Sequence, residues 1–271
     1  MNEGQTIFIA KSFYKYNISE LPCYLTKLIL DRDFDSDVYE LPKGLIYLEF
    51  GYAFNQNVSN LPPFLTHLIF GYTFNQDVSN LPKKLTNLTF GHSFNRDVSK
   101  LPQTLISIDF GHNFNQDVSN LPENLTSLKF AACFNQDLSR LPQTIIHLTL
   151  GFMFYQKYNV PSNIKYLKLD SNNQYMIDSL PNSIMELELK WNFNLQLNNL
   201  PTSLKRLIIQ QTSKYNEDLN CLPDSVEFLQ LSENYNKRIL HIPSNLKHFV
   251  CGSKYSYIDD FKEISKVKTY R

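Results

Sequence analysis

Phe74–Pro82 reads FNQDVSNLP, and the same nine residues return at Phe114–Pro122. Close variants begin at Phe54, Phe94 and Phe134, so one phrase is written five times at a spacing of 20 residues. A fixed short period is the mark of a stacked architecture and is read before any single element. With Leu-Pro as positions 1 and 2, twelve units begin at Leu21, Leu41, Leu61, Leu81, Leu101, Leu121, Leu141, Val160, Leu180, Leu200, Leu222 and Ile242. Their spacing is 20 as far as Leu141, then 19, 20, 20, 22 and 20. The consensus is L-P-x-x-L-T-x-L-x-F-G-x-x-F-N-Q-D-V-S-N.

Each position carries a physical meaning. Positions 5, 8 and 10, such as Leu85, Leu88 and Phe90, alternate at their end with polar residues, the period of a half-buried strand. Position 11 is often glycine, which lets the chain turn off that strand. Phenylalanine holds position 14 from Phe34 to Phe154, and position 18 is Val or Leu. Positions 1, 5, 8, 10, 14 and 18 are thus the apolar set. Proline at position 2 of every unit removes a donor and holds the residue before it extended, so the return path is no long helix.

One coil cannot fold alone. Its six apolar side chains contribute roughly 1.5–3 kcal/mol each when buried. Ordering twenty residues costs about 1–2 kcal/mol apiece in backbone entropy. Stacking on neighbours supplies the difference, so the fold class is an all-β or β-dominated, leucine-rich-repeat-like solenoid of about twelve coils with a parallel strand ladder. We expect one repeat domain, with residues 1–20 as an N-terminal half-unit, 21–252 as repeats and 253–271 as a C-terminal cap. Tyr14 and Ile18 fall in phase in the half-unit. In the cap, Ile258, Phe261, Ile264 and Val267, with Asp259 and Asp260 before and Lys266 and Lys268 after, predict a short helix.

Composition narrows the function. The 26 basic and 26 acidic residues cancel, which argues against nucleic acid and an anionic membrane surface as partners. No apolar run approaches the roughly 20 residues of a membrane span, and the opening MNEGQTIFIAKSFYKYN has no long apolar core of a secretory signal. A cytoplasmic location is expected. Cys23, Cys133, Cys221 and Cys251 lie far apart and out of phase, which suits reduced thiols better than a disulfide ladder or zinc site.

The phrase F-N-Q-D-V-S-N-L-P resembles the FNIP repeat, a leucine-rich-repeat relative abundant in social amoebae and in giant DNA viruses of amoebae. The resemblance runs from about Leu21 to Gly252 and is strongest from Leu41 to Leu150; later, Asn173 and Tyr235 stand where Phe is expected. It implies a protein-interaction array. Many relatives carry an F-box near the N-terminus, but only about twenty residues precede the first full repeat here, too few for that three-helix module. A ubiquitin-ligase role would act through another subunit.

The candidate binding face is the strand surface at positions 7, 9 and 11, expected on the concave side. Early units fill it with small polar residues such as Asn87, Thr89 and Ser107. Later ones present Tyr166, Lys168, Glu186, Glu188, Arg206, Phe228 and His248, the mixture of aromatics and charge that specific interfaces use. Position 12 makes a second stripe, Tyr52, Tyr72, His92, His112, Phe152 and Trp191, read as a stacking ladder or as a docking stripe. Asp77, Asp97, Asp117 and Asp137 stack at position 17, with Asn57 in the same place, which fits an Asx turn better than calcium ligation. Asn75, Asn95, Asn115 and Asn135 read as a ladder that satisfies backbone groups inside the bend. No catalytic motif stands out, so the expectation is a monomeric, non-enzymatic scaffold without cofactor that binds an unidentified protein. The alternatives are a substrate receptor working with a ligase, or a glycan-binding or glycan-cleaving β-solenoid.

Removing Leu81 to Lys100 as one whole unit is expected to leave a folded, shorter protein with a cooperative melt; a molten product would contradict nearest-neighbour stacking.

Overall fold

The computed structural model describes residues 7–9 and 18–270. The chain divides into two compact units, residues 1–145 and 146–271. The first holds the strands β1 (Ile7–Ile9), β2 (Lys27–Ile29), β3 (Tyr47–Glu49), β4 (His67–Ile69), β5 (Asn87–Thr89), β6 (Ser107–Asp109) and β7 (Ser127–Lys129). The second holds β8 (His147–Leu150), β9 (Tyr166–Leu169), β10 (Glu186–Leu189), β11 (Arg206–Ile209), β12 (Phe228–Gln230), β13 (His248–Gly252) and β14 (Lys266–Tyr270). Within each unit, consecutive strands pair parallel. The fold is a β-dominated solenoid of the leucine-rich-repeat type, one short strand per coil.

Strand register follows the sequence spacing. Tyr47, His67, Asn87, Ser107 and Ser127 stand side by side, 20 residues apart. In the second unit, His147 pairs with Tyr166, Tyr166 with Glu186, Glu186 with Arg206, Arg206 with Phe228 and Phe228 with His248. These are the irregular steps of 19, 20, 20, 22 and 20 residues. β1 is also in phase, since Ile7 pairs with Lys27. In the half-unit, Ile18 is buried at the start of a 3-10 turn, Ile18–Glu20, while Tyr14 lies outside the described residues.

The six apolar positions form the core. In the coil from Leu81, Leu81, Leu85, Leu88, Phe90, Phe94 and Val98 are all buried. The phenylalanines at positions 10 and 14 make a double column. Phe90 lies flat on Phe94 with ring centroids 3.7 Å apart. Phe94 stacks on Phe74 at 6.1 Å and on Phe114 at 6.0 Å, and Phe90 on Phe70 at 5.6 Å and Phe110 at 5.7 Å. In the second unit the outer column is Phe193, Tyr215, Tyr235 and Tyr255, spaced 6.1, 6.2 and 6.0 Å. Tyr215 takes that place because two extra residues precede it, with buried Ser213 turned aside to receive the Tyr215 N–H at 3.2 Å. Asn173 leaves the column: it N-caps a one-turn helix, α1 (Gln174–Asp178), accepting the Met176 N–H at 3.2 Å.

Polar groups close each coil. The carbonyl of every position-2 proline accepts the position-5 N–H, as from Leu85 to Pro82 at 3.2 Å. Proline's lost donor is not needed there, because only its carbonyl is used. The Asn ladder is present: the N–H groups of Asn75, Asn95, Asn115 and Asn135 donate to the side-chain oxygen one coil back at 2.9, 3.0, 2.9 and 2.9 Å. The Asx turn is present too. Ser79 donates its N–H to Asp77 at 3.0 Å and its hydroxyl at 2.7 Å, and Asn57 accepts the Ser59 N–H at 2.8 Å. Glycine at position 11 has a different reason from the expected turn. Among the described residues no glycine has positive φ; a Cβ on Gly71 or Gly91 would instead collide with the carbonyl oxygen of the preceding coil. The residue is small because coils pass too close for a side chain.

The C-terminal cap departs from the predicted helix. Only Ile258–Phe261 forms a 3-10 turn, and Lys266–Tyr270 continues the ladder as β14. Of the four apolar residues expected to line a helix, Phe261 alone is buried, stacked on Phe249 at 3.7 Å. Lys-Val-Lys-Thr-Tyr alternates and is rich in β-forming residues, and the edge of β13 offers unpaired backbone groups that only a strand satisfies. Asp260 accepts from Nε and Nη2 of Arg238, at 2.8 and 3.1 Å, rather than from a helix terminus.

Two measurements check this packing. Phe94→Ala should cost about 3–5 kcal/mol in denaturant unfolding, because it opens a cavity among the rings of Phe74, Phe90 and Phe114; a loss below about 1 kcal/mol, the level of an average substitution, would refute the column. The second concerns acid. Hydrogen bonds from Ser79, Ser119 and Ser139, hydroxyl first and N–H next, hold Asp77, Asp117 and Asp137 below the usual carboxylate range; at Asp97 the Ser99 N–H is the larger cause. A carboxylate lowered by folding contributes stability above its unfolded pKa of about 4, and that contribution is lost as pH falls through the folded value. Replacing all four by Asn keeps the acceptor and removes the titration. The fall in melting temperature below pH ~4 should then be shallower than in the wild type, and an unchanged acid profile would show that these turns do not titrate with folding.

Candidate functional site

The site residues lie on the open face of the second unit. Strand alternation fixes which side chains reach it: Leu167, Leu187, Leu207, Leu229 and Phe249 point into the core, while their neighbours do not. Register then sets two rows. Tyr166, Glu186, Arg206, Phe228 and His248 form one; Lys168, Glu188, Ile208, Gln230 and Val250 form the other. All seven predicted residues are therefore brought together on one face.

The first row is a chain of contacts. Tyr166 stacks on His147 at 4.3 Å with the planes 6° apart. Arg206 donates from Nε to Glu186 at 2.8 Å, and its guanidinium lies over the Phe228 ring at 4.1 Å. Phe228 meets His248 edge-on at 6.2 Å. In the second row Lys168 pairs with Glu188 at 2.6 Å. Both ion pairs are partly open to solvent, so each contributes little to stability. Their effect is on presentation: four long side chains are held extended along the face, with the opposite charges neutralised in pairs.

The same face of the first unit is plainer. Tyr47 stacks on His67 at 6.1 Å, and beyond them come Asn87, Ser107 and Ser127. Tyr47 donates its hydroxyl to Glu49 at 2.7 Å; burial first, and that carboxylate next, push its pKa up to about 12. Position 12 forms the expected stack: Tyr52 on Tyr72 at 4.6 Å, Tyr72 on His92 at 4.3 Å and His92 on His112 at 4.5 Å. These spacings match the coil repeat, as a rim-sealing ladder requires.

Among the described residues no three His, Cys, Asp or Glu side chains are grouped to hold a metal, and no helix is long and apolar enough to cross a membrane. The four cysteines are free, and burial pushes the Cys251 thiol up to about 11, which leaves it protonated and inert.

Sequence reasoning missed three contributors. His147 shares position 7 with Tyr166 and pairs with it in register, but the candidate residues began one strand later, at Tyr166. Lys266 and Lys268 were assigned to a helix, and β14 puts them on this face beside His248 and Val250. The alternation of KVKTY was the signal that would have found them.

Comparison with known proteins agrees with the geometry. A family model described as the FNIP repeat matches residues 37–72, 54–93, 74–113, 114–152 and 173–212, together more than half of the chain. Among solved structures the chain is similar to CroV588, a circular leucine-rich-repeat protein of a giant virus, at 32% identity and a TM-score of 0.70. That match covers 90% of this chain and 43% of CroV588, so the chain spans less than half the length of that relative. It is also similar to an internalin, inlF of Listeria monocytogenes, at 17% identity and a TM-score of 0.60, covering 91% of this chain and 81% of the internalin. That likeness shows the fold alone. No curated protein matches the chain significantly.

Proposed function

The chain belongs to the FNIP-repeat family, and we propose that it is a non-enzymatic scaffold that binds a protein through the open strand face of β9–β13. One observation carries the proposal. Five consecutive strands hold Tyr166, Glu186, Arg206, Phe228 and His248 in a single in-register row, on a backbone that hydrogen bonding keeps rigid. Aromatic and arginine side chains preorganised in this way lose little entropy on binding, which is what interface anchors need. The second row adds Lys168 and Glu188. In this reading the protein acts as a monomer in the cytoplasm, without cofactor or metal, and its partner is neither nucleic acid nor membrane. The net charge of zero supports the last point.

The test is affinity purification from amoebal cytosol. Wild type is compared with a variant carrying Tyr166→Ala, Glu188→Ala, Arg206→Ala and Phe228→Ala, after both are shown to fold. A specific protein retained by wild type and lost by the variant is the expected result. An unchanged partner list would refute this face and turn attention to the position-12 stripe. Ubiquitin-ligase subunits among the retained proteins would make the partner a ligase component. If no protein is retained, glycan arrays become the next screen.

A further inference from the structure

Charge on the open face changes along it. On β9–β11 the charges cancel in pairs, Lys168 with Glu188 and Arg206 with Glu186. On β14 the two rows carry Lys266 and Lys268, both exposed, and neither forms an ion pair among the described residues. Between these lysines and β12 lies a cavity of about 370 Å³. Phe228, Gln230, His248 and Val250 wall one part and Lys266 and Lys268 the other, so no carboxylate lines it. The Arg206 guanidinium over Phe228 adds a further cation at the rim, although Glu186 already takes its Nε.

We propose that this end of the face seats an acidic peptide segment. An apolar side chain of the segment rests on Phe228 and Val250, and Asp or Glu residues flanking it meet Lys266 and Lys268. The inference rests on the protein-binding reading above and gives that partner its chemistry. Three observations support it. The cavity is at the small end of the ~300–1,000 Å³ of ligand clefts, room for one large side chain rather than a folded domain. Its floor is apolar and its free charge has one sign, so charge complementarity selects an anionic partner. Nucleic acid is the poorer fit, because phosphate backbones bind through many cations at once, whereas only two unpaired lysines stand here in a chain of zero net charge.

The experiment is fluorescence anisotropy with the full chain and labelled synthetic peptides. The first peptide carries one Trp between runs of Glu. The second has Gln for every Glu, and the third has Ser for Trp. The proteins are wild type, Lys266→Glu with Lys268→Glu, and Phe228→Ala, each checked by circular dichroism and melting. Lys266→Gln with Lys268→Gln replaces the charge reversal if that variant fails to fold. The Glu–Trp peptide should bind wild type about tenfold or more tightly than either control peptide, weaken as salt rises, and lose about tenfold in both protein variants. Equal binding of the Gln peptide, or no effect of changing the lysines, overturns the proposal. A single-stranded oligonucleotide that displaces the peptide at lower concentration also overturns it, by showing a general polyanion site. Partner capture that is lost in the Tyr166, Glu188, Arg206 and Phe228 variant but survives in the lysine variant defeats the acidic specificity alone and leaves the binding face standing.

Discussion

The first unit depends on the packing of one phenylalanine against another: the ring at position 14 lies flat on the ring four residues before it and stacks on its counterpart one coil away. A 20-residue coil with a three-residue strand has too little interior to bury anything by itself. Two rings per coil fill the space between the strand and the return path, and their flat faces tile only if successive coils superimpose. That requirement, more than the strand hydrogen bonds, explains a spacing held at 20 residues through the first seven units.

The two columns differ in their spacing. Parallel strands lie about 4.8 Å apart. The inner phenylalanines are spaced 5.4–5.7 Å and the outer ones 6.0–6.1 Å in the first unit. The outer rings of the second unit keep 6.0–6.2 Å. Ring spacing thus grows from the inner column to the outer one. Beside the outer column the asparagine side chains tie coil to coil: each oxygen reaches one coil forward and accepts the N–H of the next asparagine.

Much of this was legible before any coordinates. The repeat phase, the six core positions, the Asn ladder and the Asx turns follow from residue type at fixed spacing, because each is a local rule applied over and over. What escaped was set by neighbours. Glycine at position 11 looks like a turn residue in one coil and proves to be a clearance residue only when the preceding carbonyl is in place. Ile258, Phe261, Ile264 and Val267 have helical spacing, but the open edge of β13 competes for the same segment and wins with five residue pairings. Asn173 breaks the phenylalanine column, and nothing within its own unit says that it will cap a helix. The seven site residues were legible as a surface, since alternation and register place them, whereas their mutual pairing depends on rotamers that no spacing encodes.

Regularity and specificity are divided between the units for a physical reason. A coil held by stacked rings tolerates change on its strand face at positions 7 and 9, whose side chains leave the core. The first unit keeps them mostly small, and its faces repeat. In the second unit the column passes from phenylalanine to tyrosine, the step lengths vary between 19 and 22, and the face changes residue by residue. Lys168 and Glu188, or Glu186 and Arg206, neutralise each other across one strand spacing, so a partner laid over them gains little from charge there. In the proposed reading, discrimination then falls to the two β14 lysines, which have no ion-pair partner among the described residues. Charge that is paired on β9–β11 and unpaired on β14 would orient an anionic segment laid along the face.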